Sequence, residues 1–230
     1  MTNKDYSTAL SLWRPLAEEG NAEAQRFIGI LYENGLAVSR DGRQAVDWFR
    51  KAAAQGDAQA EYRLGMRFVS GSDGLPHDVP QGLLLMERAG QHGYVRSFYW
   101  IADFYRTGTN GVPEDAAQSM AWYRKAADLG DDSSQVTLGI AYQYGRGVAK
   151  DIGQAISWYR KAADQGNSAA QQALGQIYEY GEGVAVNKEA ALCWYQKEAQ
   201  QSSRFKAQAE RAIAHLGKLV PSGGDLGGCQ

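Results

Sequence analysis

Net charge, cysteine, proline and long apolar runs are all scarce in this chain. Its 24 Lys and Arg against 26 Asp and Glu leave a net charge of −2. That excludes a basic nucleic-acid arm or a polybasic membrane anchor, since both need a clear cationic excess. No stretch approaches the roughly 18 apolar residues of a membrane span. The segment Met1 to Leu12 is polar where a signal peptide needs an apolar centre. A cytoplasmic chain is therefore expected as the sequence stands, or a periplasmic one if a signal peptide has been removed. The two cysteines sit in unlike settings, Cys193 beside Trp194 in a helical pattern and Cys229 after the glycine-rich run Ser222 to Gly228. They make neither a disulfide framework nor a metal-ligand spacing, so both are expected as free thiols.

Catalytic signatures are equally thin. His77, His92 and His215 are isolated, none with a histidine one helical turn away or a cysteine partner, so no metal site is read. Ser203-Arg204-Phe205-Lys206 matches a Ser-x-x-Lys nucleophile motif, but the companion Ser-Asp-Asn and Lys-Thr-Gly motifs are missing. Gly145-x-Gly147 and Gly181-x-Gly183 follow helical patterns rather than strands, so they are not phosphate loops. The expectation is a chain that is not an enzyme and has no cofactor and no metal.

Glycine, by contrast, is plentiful at 27 residues, and it is periodic. Gly20, Gly56, Gly93, Gly130 and Gly166 recur at spacings of 36, 37, 37 and 36. A period of this length marks units that bury their faces only against their neighbours. Trp48, Leu85, Trp122, Trp158 and Trp194 form a second column, and Lys51, Arg88, Lys125, Lys161 and Lys197 follow it three residues later. A third column, Gly29, Gly65, Ala102, Gly139 and Gly175, is preceded by Leu or Ile and followed three residues later by Tyr32, Phe68, Tyr105, Tyr142 and Tyr178.

Each unit reads as two helices. Ala24, Ile28 and Tyr32 share one face of the first, and Ala45, Trp48 and Ala52 one face of the second. A glycine inside the first helix costs about 1 kcal/mol of propensity. Its recurrence predicts close approach of two helix backbones. Asp57, Asp131 and Asn167 are placed to cap the following helices. The 37-residue units carry one extra residue in the turn between helices, at Ser72-Asp73 and Thr109-Asn110. The expected fold is all-α. It is a right-handed α-solenoid of about five helix–turn–helix repeats (21–56, 57–93, 94–130, 131–166 and 167–202), with capping helices at both ends, as one domain over 1–219. A disordered tail is expected over 220–230. Pro15 is expected to kink the N-terminal helix.

The stretch Ala170-Gln171-Gln172-Ala173-Leu174-Gly175-Gln176-Ile177-Tyr178, then Gly181-Glu182-Gly183-Val184, then Trp194-Tyr195-Gln196-Lys197, resembles the Sel1-like repeat. That family is a variant of the tetratricopeptide repeat. Trp158 to Gly166 carries the same resemblance, which spans about residues 6–219. Departures gather in repeat two, where Leu85 and Met86 replace Trp-Tyr and Gly90 replaces Ala; Ala37 also replaces a turn glycine in repeat one. The resemblance implies an adaptor, scaffold or regulator that binds another protein. An alternative it implies is an immunity protein that occludes a secreted toxin or lipase. A cysteine-rich branch linked to β-lactams has paired cysteines in its repeats, which this chain lacks.

Phe98-Tyr99-Trp100 breaks the columns, because Gln25, Gln135 and Gln171 hold the place of Phe98 in repeats one, four and five. Three consecutive aromatics cannot all face one core. By analogy with the tetratricopeptide repeat, the first helices line the concave side. The residues expected there to bind a partner are Tyr62, Met66, Phe98, Tyr99, Asp103, Arg106, Val136, Ile140, Gln143 and Tyr144. The Trp and Tyr columns are read as core. The partner is a protein and not a nucleic acid, no membrane insertion is expected, and the free chain is expected to be monomeric.

Overall fold

The computed structural model describes residues 3–201, 203–219 and 229. Among the described residues there are twelve helices and no strand. In order they are α1 (Asn3–Glu18), α2 (Ala22–Asn34), α3 (Gly42–Ala53), α4 (Ala58–Ser70), α5 (Val79–Gln91), α6 (Arg96–Thr107), α7 (Ala116–Asp128), α8 (Asp132–Tyr144), α9 (Ile152–Asp164), α10 (Ser168–Tyr180), α11 (Lys188–Ala199) and α12 (Lys206–Leu216). The pairs α2/α3, α4/α5, α6/α7, α8/α9 and α10/α11 are the five repeats. Pro15 lies inside α1 without ending it. The tail expected from residue 220 lies outside the described residues except for Cys229. The chain divides into two compact units, residues 1–122 and 123–230, and the division falls within the continuous helix α7.

Helix starts within the repeats are set by side-chain caps, those of Asp57, Asp131 and Asn167 as expected from the sequence. Asn21, Asp57, Asp131 and Asn167 each accept a hydrogen bond from the backbone N–H three residues on, satisfying a donor that the helix itself leaves unpaired. Asp41, Asp78, Asp115, Asp151 and Asn187 do the same for the second helices. The exception is α6, where Val95 is the cap residue and no side chain accepts. Tyr94 stands there in the column of Asn21, Asp57, Asp131 and Asn167. First helices end on a glycine in the left-handed conformation, such as Gly145 at φ 70°.

In the first unit the helical glycine faces a ring. A Cβ on Gly29 would fall 2.6 Å from Cε1 of Phe49, which is fully buried. The expected backbone-to-backbone approach occurs in repeat two, where a Cβ on Gly65 would meet the carbonyl oxygen of Gly82 at 2.7 Å. Met86, slimmer than an aromatic, permits that contact and is itself fully buried. Trp48, with Leu10 and Trp13 of α1, packs against the cluster of Ala17, Ala24, Ile28 and Leu31. Trp13 therefore belongs with α1's inner face, stacked on Phe27 at 4.1 Å.

The second unit repeats the same joint. Rings of Tyr159 and Tyr195 lie on Gly139 and Gly175, where a Cβ would sit 2.5 Å from each ring. Trp158 and Trp194 are buried, and Lys161 and Lys197 lay their ammonium groups 3.8 and 4.4 Å from those ring centres. That cation–π contact explains the lysine column. Burial of each such side chain contributes on the order of 2–3 kcal/mol.

Successive hairpins are tied by glutamines. Gln25 donates to the Ala17 carbonyl at 3.0 Å and accepts from Gln55 at 2.8 Å. Gln135 donates to Ala127 and accepts from Gln165, and Gln171 donates to Ala163 and accepts from Gln201, all at 2.9–3.1 Å. Repeat two substitutes the pair: Glu61, fully buried, meets His92 Nδ1 at 2.8 Å and Arg88 at 2.9 Å. Arg88 is available because Leu85 offers no indole ring beneath it.

Repeat three substitutes it again. Phe98 takes the glutamine's place and is 1% exposed, stacked on Trp122 at 5.6 Å. A Cβ at Gly90 would lie 2.3 Å from Phe98 Cζ. Two departures that looked independent in sequence are thus one compensated exchange, an Ala–Gln joint replaced by Gly–Phe.

The cysteines overturn the expectation of free thiols. Cys193 of α11 and Cys229 are joined by a disulfide, with Cα atoms 5.5 Å apart. Cys229 packs against the second unit's core. The glycine-rich composition before it had suggested a detached segment, and composition says nothing of where the chain returns.

Candidate interaction surfaces

Of the ten residues expected to bind a partner, six belong to the first unit. Tyr62 on α4 is half-buried, with its ring 4.9 Å from that of Tyr94. Burial, with the neighbouring Tyr94 hydroxyl adding to it, pushes the Tyr62 hydroxyl up to about 12. Met66 is half-buried one turn along α4. Tyr99 is half-buried and edge-on to Trp100 at 5.5 Å. Asp103 and Arg106 pair with each other along α6, through Nε at 2.9 Å and a second, shorter contact from a terminal nitrogen. Phe98 is corrected: it is a core residue that fills the space above Gly90 and has no surface for a partner.

The other four belong to the second unit. Val136 and Ile140 are half-buried and pack against the core. Gln143 is also corrected. It is buried, accepting from the Tyr159 hydroxyl at 2.8 Å and donating to Glu182 at 2.7 Å, so both ends of its amide are engaged. Tyr144 is 57% exposed, with Arg146 over its ring at 5.3 Å.

Sequence reasoning missed Tyr180, which is 66% exposed at the end of α10. Its signal was available. The residue before the helix-ending glycine is Asn34, Ser70 and Thr107 in repeats one to three, then Tyr144 and Tyr180 in repeats four and five. The rings buried behind them are held by polar contacts. Burial pushes the hydroxyl of Tyr159 up, with Tyr144 and Glu182 nearby adding to it. Burial likewise pushes up Tyr195, whose hydroxyl donates to Glu179 at 2.7 Å. Val186, 55% exposed, follows Tyr180 in the next turn.

A charged network in the first unit was also invisible in the sequence. Arg67, nearly buried, donates to Glu33 at 2.6 Å and to Asp73 at 2.9 Å, while Arg63 reaches the other Glu33 oxygen at 2.5 Å. Arg67 also lies 5.0 Å from the Phe49 ring centre. A cleft of about 470 Å³ opens beside the network, lined by Glu33, Asn34, Arg40 and Arg63. Its groups are engaged with one another: Arg40 Nε donates to the Glu33 carbonyl and Arg63 to the Glu33 carboxylate. The network therefore acts as cement between repeats one and two.

The Ser-x-x-Lys match is a turn. The Ser203 hydroxyl donates to Glu198 and accepts from the Phe205 N–H at 3.0 Å, which shapes the entry to α12, while Lys206 points into solvent. Among the described residues no group of three or more His, Cys, Asp or Glu is placed to hold a metal ion. Among the described residues no helix is long and apolar enough to cross a membrane.

A family model described as the Sel1 repeat matches residues 22–57, 58–94, 99–131, 133–167 and 168–203. The solved structure of a protective antigen present in uropathogenic Escherichia coli strains, displaying an SLR fold, is 38% identical. It superposes with a TM-score of 0.72 over 91% of this chain and 43% of that one. A Sel1 repeat protein from Oxalobacter formigenes is 26% identical with a TM-score of 0.72, covering 94% of this chain and 93% of its own. An uncharacterised protein of Neisseria meningitidis is 31% identical over 174 residues, 60% of this chain and 35% of that one. The chain spans about a third or less of the length of the curated relatives it matches.

Proposed function

Because this chain belongs to the Sel1 repeat family, whose members mediate protein–protein interaction, we propose that it is a binding scaffold, an adaptor or regulator whose partner is another protein. The observation that carries this reading is the pair Tyr144 and Tyr180. Both are large aromatics more than half exposed, at the same position of consecutive repeats in the second unit. Aromatic side chains left in water at matched positions offer much apolar area for little lost side-chain entropy, which is why they dominate protein interfaces. Arg146 and Glu182 flank them and supply hydrogen-bonding groups of both signs at the rim. In the first unit the half-buried Tyr62, Met66 and Tyr99 and the Asp103–Arg106 pair are further candidates for contact.

The test is affinity capture from the natural host followed by calorimetric titration of the captured protein. Tyr144→Ala and Tyr180→Ala are each expected to weaken binding by about 2 kcal/mol. Arg40→Ala, in the turn of repeat one, is expected to leave it unchanged. Unchanged affinity for both tyrosine variants, with folding intact, would remove this surface from the reading. If the captured protein is a secreted enzyme and loses activity at equal stoichiometry, the chain is its inhibitor rather than an adaptor.

A further inference from the structure

The disulfide between Cys193 and Cys229 encloses α12, which otherwise meets the second unit's core through the short face of Ala209, Ala212, Ile213 and Leu216. We infer that the chain is completed by thiol oxidation in an oxidising compartment, and that the bridge is what keeps this closing helix on the last repeat. Four observations converge. First, α12 fully buries Ala209 and Leu216, whereas α10 buries seven residues that include Leu174, Ile177 and Tyr178. Second, Phe205 offers α12 no side-chain cap, and its entry is shaped instead by the Ser203 hydroxyl accepting from the Phe205 N–H, where Asn167 and Asn187 accept from the first turns of α10 and α11.

Third, Glu198, at the end of α11, is fully buried where Ala52, Ala89, Ala126 and Ala162 stand in the other repeats. One of its oxygens is held by Ser203, and Oε2 has no hydrogen-bond partner among the described residues. A buried carboxylate oxygen without a partner costs free energy in the closed state of this end of α11. Fourth, the bridge spans 36 positions and so contains the whole of α12. Its Cα separation lies in the range an unforced disulfide requires. Closing a loop of that length removes open states in which the helix has left its place.

The chemistry needs a disulfide-bearing oxidant, protein or small molecule. The thiolate of one cysteine attacks the oxidant's disulfide and releases one of its thiols. The other cysteine then attacks the mixed disulfide and releases the second. Two protein thiols become the bridge and one external disulfide becomes two thiols. A glutathione-reduced cytosol runs this exchange backwards, whereas a periplasm or secretory lumen sustains it.

The test has two arms on the full chain. Hydrogen exchange of the α12 amides from Ala209 to Leu216 is followed with the bridge intact, after reduction, and in Cys229→Ser. That variant leaves α11 untouched. Exchange at least tenfold faster in the two open forms, with α8 and α10 unchanged, is the expected result. Equal rates in bridged and open forms would overturn the role of the bridge. In the second arm, intact cells of the natural host are treated with a maleimide before lysis. Chains unlabelled until a reductant is added are expected. Labelling of both cysteines in untreated cells would overturn the compartment.

Discussion

Replacing Gly90 by Ala tests how repeat three is joined to repeat two. The new Cβ would meet three atoms of the Phe98 ring at 2.3, 2.4 and 2.7 Å, all shorter than any tolerated contact. Phe98 has little room to retreat, since it is 1% exposed and lies against Trp122. Overpacking of this kind costs about 1–3 kcal/mol. Against it stands the helix-propensity gain of Gly→Ala, about 1 kcal/mol near the end of α5. The net expectation is a loss of up to about 2 kcal/mol. Phe98→Gln alone should cost about 3 kcal/mol, through the lost ring and the void above Gly90. In the double variant the ring is gone and the Ala–Gln joint of repeats one, four and five is restored. Gly90→Ala should then stabilise by about 1 kcal/mol, leaving a coupling of about 1–3 kcal/mol between the two sites. Urea unfolding of the four proteins measures it, with α6 amide exchange as a second readout because repeat arrays can unfold in stages. Effects that add within about 0.5 kcal/mol would refute the compensated exchange.

Trp158→Ala should cost about 3–5 kcal/mol in urea melts, while Arg146→Ala at the turn tip should stay within about 0.5 kcal/mol. Arg67→Ala should cost about 3 kcal/mol, because it strips the nearly buried link between Glu33 and Asp73. Ala37 holds φ 60°, where Gly147 and Gly183 stand in later repeats. Ala37→Gly is therefore expected to stabilise by about 0.5–1 kcal/mol on thermal or urea unfolding. The hydroxyl of Tyr62 is raised to about 12, and those of Tyr159 and Tyr195 are raised as well. Folding favours their neutral forms, so this contribution is whole below pH 10 and is lost as pH climbs through the folded values. Absorbance titration should show three tyrosines ionising only above the main group or on unfolding.

The repeat, its helix pairs and their caps were legible because each is written in residue type at fixed spacing. Asp57, Asp131 and Asn167 cap because a short side-chain oxygen before a helix has few other uses. Tertiary partners were less legible. Gln25, Gln135 and Gln171 look like surface residues, and only the approach of a second hairpin reveals a buried amide with both ends bonded. Phe98 looked like a surface anchor because its compensating partner is an absence, the missing methyl at Gly90. Tyr180 was not legible because it stands two residues after Tyr178, a buried member of the first helices' Tyr column, on the residue before the turn glycine. The disulfide escaped for a different reason: spacing in sequence does not report that a chain returns to a helix it left 36 residues earlier.

Site-specific photo-crosslinking tests the central reading most directly. A photoreactive phenylalanine analogue is placed at Tyr144, at Tyr180 and, as a control, at Leu84, which is 59% exposed on α5. Illumination in the natural host should attach the same discrete protein to positions 144 and 180 and nothing comparable to 84. A crosslink pattern that is equal at all three positions, or a discrete partner at 84 alone, would contradict the account.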